Sequence, residues 1–469
     1  ALSSYLKLHG HQVRASHIEG RFDFLRLKRT LREFSPEVVG ISINSTEARH
    51  IPTFIETAKR WNPRVPVVLG GHYPTLAPED SINYQGVDAV CVGEGEEAFI
   101  EYLQSLQEGG SNYEIENLWF RRNGEVIANP SRAFIEDLDG LPYMDREAVN
   151  FQRIIDVNGK TLITVVGRGF CPYNCTFCAN SAFAKAGRGR WVRRRSVDNV
   201  LDEFQMLGNR YNFKSINFGD DNFCNDREWL LEFCEKYSRR FSWAIDCFGR
   251  CDSMDDETTR ALARAGCRHI FIGLESGNDY IRNEVLKKNI SNEQVVEAAE
   301  KLNRVGIKAV VSCMIGLPFE TPEAFQDTIE VCRRIHKNQL ILSSAFGAAP
   351  KILIYNPFPN TRLYSLCKEK GWLREAPKVW RIFRETYLDM PQFPRREIYR
   401  LHRTFRYQVY KDSYPLYAWL FRLYDLRIAR LVSENLPGGL FSRIHNLVSD
   451  ISRMIKPKNI AEGFLRRTN

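Results

Sequence analysis

Six short apolar runs between residues 160 and 375, alternating with five helical stretches, restrict this chain to a parallel α/β architecture. The strands are expected at 162–166, 215–218, 242–247, 269–272, 309–314 and 351–355, with helices near 197–207, 228–239, 256–265, 292–305 and 322–335. Unbroken apolar runs suit strands buried on both faces, as parallel sheets require. Six such β/α units over residues 159–375 predict an open, partial (β/α)6 barrel with its working face at the strand carboxyl ends. The same alternation fills residues 1–110, with helices at 1–9, 23–33, 51–61 and 97–107 and strands at 12–18, 37–43, 65–69 and 87–92. It predicts a doubly wound, Rossmann-like parallel sheet whose ligands sit at the carboxyl edge. Ser42, Asn44 and Ser45, then Gly70, Gly71 and His72, then Gly93 and Glu94, fall at that edge. The chain opens on Ala1 and a helix where such a domain normally opens on a strand, so its first strand is expected to be missing. Residues 111–158 read as a linker with a small hairpin turning at Asn123-Gly124.

Directly after the first barrel strand comes Cys171-Pro172-Tyr173-Asn174-Cys175-Thr176-Phe177-Cys178. Three thiols in one loop at a barrel mouth suit an iron–sulfur cluster, which normally takes four thiolates. With three, one iron keeps an open position for a substrate. A structural zinc site is the alternative, but zinc favours four ligands in Cys-x2-Cys pairs; here the first gap is three residues and no second pair follows. The other nine cysteines are scattered singly. In a chain without a secretion signal they read as reduced core side chains, so a cytoplasmic setting is expected.

The triad, with an aromatic residue before its last cysteine, resembles the radical SAM enzymes, and the resemblance runs from about residue 162 to 373. It implies a [4Fe–4S] cluster on Cys171, Cys175 and Cys178. The open iron of that cluster binds S-adenosylmethionine and cleaves it to a 5′-deoxyadenosyl radical. Further segments resemble the family's cofactor contacts. Gly219-Asp220-Asp221 stands where the family has Gly-Gly-Glu near the methionine amino group. Gly273-Leu274-Glu275-Ser276-Gly277 resembles Gly-x-Glu-Ser-Gly, which makes Glu275 and Ser276 candidates for the ribose or amino acid part. Arg250 is a candidate partner of the cofactor carboxylate. Gly316-Leu317-Pro318-Phe319-Glu320-Thr321 resembles a motif near the adenine, with Gly316 and Glu320 as its candidates. Asn356-Pro357-Phe358-Pro359-Asn360-Thr361 resembles Pro-Phe-Pro-Gly-Thr, with Asn360 in place of glycine.

Residues 1–108 resemble the cobalamin-binding domain of one radical SAM subfamily through SPEVVGIS, VPVVLGGHYPTLAPE and VDAVCVGEGEEAF. The resemblance makes Ser42, Asn44, Ser45, Gly70, Gly71, His72, Gly93 and Glu94 the expected cobalamin contacts. His17-Ile18-Glu19-Gly20 has the outline of a cobalt-binding His-x-x-Gly but follows the wrong strand, so His17 is not expected to ligate cobalt. The family implies methyl transfer to an unactivated carbon of a small-molecule or lipid-like substrate. It also admits radical cyclisation or oxidation without methyl transfer. A non-catalytic cobalamin or cluster sensor is the reading from another class. An electron donor such as flavodoxin or ferredoxin is implied.

The net positive charge is confined to one end. The net charge is +9, and residues 376–469 hold 18 Lys and Arg against 8 Asp and Glu. This aromatic, basic segment, with Arg422, Arg427 and Arg430 interleaved among apolar residues over 416–433, is expected to be helical as far as Pro437-Gly438-Gly439. It suits a helical cap over the barrel mouth with a solvated basic face, or peripheral attachment to an anionic lipid surface. No recognised nucleic-acid module is present.

Overall fold

The computed structural model describes residues 1–18, 23–109, 112–169, 171–337, 351–374 and 385–416, with 418, 419 and 422. The first sheet contains β1 (Val39–Ser42), β2 (Val67–Gly70), β3 (Ala89–Cys91), β4 (Leu118–Arg122) and β5 (Glu125–Ala128), paired in that order. Strands β1 to β3 are parallel; β4 and β5 form an antiparallel hairpin on the β3 edge. Both faces of this sheet are covered. Val67 and Leu69 pack with Ile51, Ile55 and Ala58 of the helix Ile51–Trp61, while Val68 packs with Leu6, Ala98 and Tyr102 on the other side.

Two sequence expectations change here. Residues 12–18 make no strand: Val13 alone tucks against the core beside Leu6, too little apolar surface to hold a strand on the β1 edge. The 118–128 hairpin is not a free linker feature. Leu118 and Phe120 are buried, and the hairpin completes the first sheet by covering an otherwise open edge.

The second sheet is fully parallel. Strands β6 (Thr161–Thr164), β9 (Ser215–Phe218), β10 (Ala244–Gly249), β11 (Cys267–Glu275), β12 (Lys308–Ile315) and β13 (Lys351–Ile354) follow one another across it in chain order. This is the expected partial barrel. Ile216 and Phe218 face the helices, where Phe218 meets Phe204 and Phe233. Phe248, Phe271 and Val310 form a small separate apolar belt on three adjacent strands. Ser196, Asp226, Asp255 and Ser291 cap successive helices through their side chains, with Ser291 and Gln294 forming a reciprocal box. These caps start each helix after its βα loop and so leave the strand carboxyl ends free to build a site. A third, two-stranded ladder pairs β7 (Gly167–Arg168) with β8 (Arg193–Arg194) antiparallel. The helix Arg395–Tyr410 packs on Ala324–His336. The basic segment expected to be helical over 416–433, and the Pro437-Gly438-Gly439 break, lie almost wholly outside the described residues. Among the described residues no helix is long and apolar enough to cross a membrane.

Candidate active site at the facing sheet edges

The cysteines sit on an excursion that is closed at its base. The β7–β8 ladder brings residues 167–168 against 193–194, so everything between hangs from a two-residue clasp. Gly169 closes the turn with φ +63; a Cβ there would lie 2.0 Å from the Trp191 carbonyl oxygen. Inside the excursion, Thr176 is the anchor. Its N–H donates to the Leu286 carbonyl (3.1 Å), its hydroxyl to the Val285 carbonyl (2.7 Å), and its own carbonyl accepts from the Leu363 N–H (3.2 Å). Pro172, Tyr173 and Asn174 remain exposed, Cys175 is buried, and Cys171 and Cys178 are half-buried. The Trp191 indole N–H donates to the Cys171 carbonyl at 3.3 Å.

All three thiols are free. Burial pushes each of them up, Cys178 to about 12, and neighbouring thiols add to this at Cys171 and Cys178. Lys288 and Arg250 pull Cys175 partly back. Thiols held close together in a partly dry loop need a cation to become thiolates, which is what an iron centre provides. Among the described residues no three His, Cys, Asp or Glu side chains converge tightly enough to share one ion. A cube of four irons can take its protein thiolates at three separate corners, so Cys171, Cys175 and Cys178, free and grouped on one short loop, suit that donor set.

A cavity of about 1020 Å³ lies between the two sheets, and their carboxyl edges face each other across it. Ordinary small-molecule pockets span roughly 300–1,000 Å³, so this one has room for a large ligand. Ser42, Asn44, Ser45, Gly70, Gly71, His72, Gly93 and Glu94 line it from the first domain; Cys178, Asp221 and Glu275 line it from the second. Ser45 is 5% exposed and its hydroxyl has no hydrogen-bond partner within the protein. The His72 ring stands 5.0 Å from that of Phe183, and burial lowers its pKa despite nearby Asp221. Asp221 has open surface, but that surface faces the cavity rather than bulk water. The surrounding protein raises its pKa, partly offset by the Asn180 amide, which donates to it at 2.8 Å. Gly93, at φ +88, leaves no room for a side chain: a Cβ would stand 2.7 Å from the Ala186 carbonyl oxygen. Its freedom serves the contact between domains as much as any ligand. His17 lies outside the lining.

The remaining candidates are placed unevenly. Glu275 has a left-handed backbone (φ +65) and accepts a 2.8 Å hydrogen bond from Lys288, a pair only 13% and 8% exposed. Ser276 is fully buried and its hydroxyl accepts from the Asn278 N–H within its own turn. Arg250 is committed: its guanidinium binds Asp252 through Nε and Nη2, donates to the Lys288 carbonyl, and lies 3.6 Å from the Tyr173 ring centroid. Glu320 turns back on Gly316, accepting from the Gly316 and Leu317 N–H groups at 2.7 and 3.2 Å. Burial raises its pKa to about 8. Asp220 is likewise buried, accepts from the Val166 N–H at 3.0 Å, and burial lifts it to about 6. Gly219 donates to the Thr164 carbonyl. Ser276, Arg250, Glu320, Gly316, Gly219 and Asp220 thus shape the loops around the cavity without lining it.

Residues 165–332 match the Radical SAM superfamily, and residues 1–103 match the B12 binding domain. The chain belongs to the radical SAM superfamily, in a form that carries a B12-binding domain. An uncharacterized methyltransferase of Pyrococcus horikoshii is 28% identical over 346 residues, covering 73% of this chain and 71% of that protein. The cytidylyl-2-hydroxyethylphosphonate methyltransferase of Streptomyces wedmorensis is 24% identical over 447 residues, covering 83% and 81%. The fold matches that of the radical S-adenosylmethionine methyltransferase TsrM from Kitasatospora setae, solved with cobalamin and a [4Fe–4S] cluster bound. The TM-score is 0.62 and the identity 18%, with 80% of this chain and 72% of that one covered. The cofactors of this radical SAM enzyme are a [4Fe–4S] cluster, S-adenosylmethionine and cobalamin.

Several residues of the radical SAM site carry no motif that reveals them. Lys288 reaches Glu275 only because a π-helical turn over Tyr280–Val285 folds the chain back. Phe183 and Trp191 form cavity walls from within the cysteine excursion. The run Arg193-Arg194-Arg195 has the look of a solvated basic stretch. Instead, Arg193 pairs with Glu94, Arg194 donates to the Asn222 carbonyl, and Arg195 pairs with Glu203.

Proposed function

We propose that the enzyme transfers a methyl group to a carbon atom of a small molecule held in the cavity between the two sheets. The observation that supports this is the shared chamber. Cys178 and Glu275 reach it from one sheet and Ser45 and His72 from the other, so radical generation and methyl donation serve one substrate position. When bound, the cluster and cobalamin supply one-electron chemistry and a transferable methyl group. Cys171, Cys175 and Cys178 hold the cluster. Glu275, backed by Lys288, presents its carboxylate to the ribose hydroxyls of S-adenosylmethionine, and Asp221 accepts a hydrogen bond from its methionine amino group. Ser45, Ser42 and Asn44 hydrogen-bond the cobalamin tail. Leu76, Phe99, Phe183, Met314 and Phe358 give the chamber apolar walls that keep water from a reactive radical. A flavodoxin or ferredoxin delivers electrons at the exposed Pro172–Asn174 tip. The basic segment after residue 376 attaches the enzyme to anionic lipid; equal flotation of full-length and tail-deleted protein on anionic liposomes removes that part.

The test is anaerobic reconstitution with iron, sulfide and cobalamin, followed by incubation with methyl-deuterated S-adenosylmethionine, a reductant and metabolite extract. The expected result is 5′-deoxyadenosine together with a product heavier by one labelled methyl group in place of hydrogen. A product of unchanged or hydrogen-depleted composition points to cyclisation or oxidation instead. Absence of 5′-deoxyadenosine under every condition leaves the sensor reading.

A further inference from the structure

The B12 domain and the base of the cysteine excursion are joined by four charged side chains. Glu94 receives a two-pronged bond from Arg193, with Nη2 to Oε1 at 2.8 Å and Nη1 to Oε2 at 3.2 Å. The same carboxylate accepts from the Ile135 N–H at 2.9 Å and pairs with Arg168 at 3.2 Å. Arg168 also pairs with Glu96 at 2.5 Å. These groups are largely dry: Arg193 is 2% exposed, Glu96 7%, Glu94 16% and Arg168 22%. Arg168 and Arg193 face each other in the β7–β8 clasp, on either side of the three cysteines. From Arg193 the contacts run on: its guanidinium lies 4.7 Å over Phe134, Phe134 meets Trp191, and Trp191 holds the Cys171 carbonyl. Glu94 has its oxygens occupied by protein donors, which leaves little for a cofactor.

We infer that Glu94, Glu96, Arg168 and Arg193 form a positioning clamp that fixes the cysteine loop at a set distance and angle from the cobalamin site. The inference rests on the two-cofactor reading above. Its physical basis is that a methyl donor and a radical source serving one carbon must be aligned closely, since a shift of about 1 Å costs on the order of 100-fold in rate. A clamp of partly buried ion pairs suits this task because it is directional and weakly screened.

The experiment uses the full chain, reconstituted anaerobically with cluster and cobalamin. Pulsed dipolar EPR measures the distance distribution between paramagnetic cobalt and the reduced cluster, with iron and cobalamin contents determined in parallel. Wild type is expected to give one narrow distance. Arg168→Met is expected to keep both cofactors but broaden and shift the distribution, and Arg168→Lys to restore most of the narrowness. Glu94→Gln is the second arm, and the deciding one should Arg168→Met not fold. A wild-type distance in variants that hold both cofactors overturns the clamp. So does selective loss of cobalamin in Glu94→Gln, which makes Glu94 a cofactor ligand. Failure of wild type itself to take up iron or cobalamin sinks the two-cofactor reading instead.

Discussion

Glu275 and Lys288 show how little of a buried ion pair is written in local spacing. Glu275 was legible, because it follows a strand in a recognisable Gly-x-Glu-Ser-Gly run. Lys288 was not, because its approach depends on a π-helical turn and on the backbone bond from Arg250. Arg250, the sequence candidate for pairing with the cofactor carboxylate, is instead paired with Asp252. Lys288→Met leaves Glu275 an unpaired carboxylate in a dry site and should cost about 3 kcal/mol of stability. The double variant with Glu275→Gln should recover most of it; denaturant melts of the four proteins in the cycle measure both. Glu320 gives a pH signature. Its folded pKa is raised from 4.5 to about 8, so the folded state holds a proton that the unfolded state releases. The stability due to that proton is complete below about pH 4.5 and is lost as pH climbs toward 8. Glu320→Gln should flatten this slope in thermal midpoints taken between the two limits. A variant with the wild-type slope would show that another group titrates.

At the level of elements, the barrel strands were legible because burial on both faces leaves an unmistakable apolar run, and their order follows from successive right-handed crossovers. The hairpin at 118–128 was visible as a hairpin, but alternation reports which face is buried and says nothing about which sheet edge it joins. The cysteine excursion was visible only as ligands. Its clasp, Gly167–Arg168 with Arg193–Arg194, consists of two residues on each side and has no periodicity to detect. That clasp makes a prediction. Gly169→Ala puts a methyl group into the Trp191 carbonyl and forces a backbone with positive φ, so the loop must shift. Iron bound per chain after reconstitution should fall, while far-ultraviolet circular dichroism stays unchanged. Full iron loading would show that the loop tolerates reopening.

For the molecule as a whole, each domain was recognisable separately, but their facing arrangement was not. It depends on contacts between residues 93–96, 134–135 and 186–193, whose sequence reads as an acidic loop, a linker and a basic run. The resulting chamber ties stability to cofactor supply. Hydroxocobalamin at about 100 times its dissociation constant should add roughly 2.7 kcal/mol, read as a rise in melting temperature. Ser45→Ala should weaken the binding about fivefold, the worth of one hydrogen bond of about 1 kcal/mol. An unchanged affinity would place the cofactor elsewhere in the cavity.

The cysteine loop presents two different faces. Pro172, Tyr173 and Asn174 look outward, while Phe177, Cys178 and Ala179 look into the chamber. The loop itself therefore stands between the solvent and the chamber. Oxygen is expected to reach the loop from its exposed Pro172–Asn174 side, which substrate in the chamber does not cover. The enzyme is expected to lose iron to oxygen as quickly when saturated as when empty.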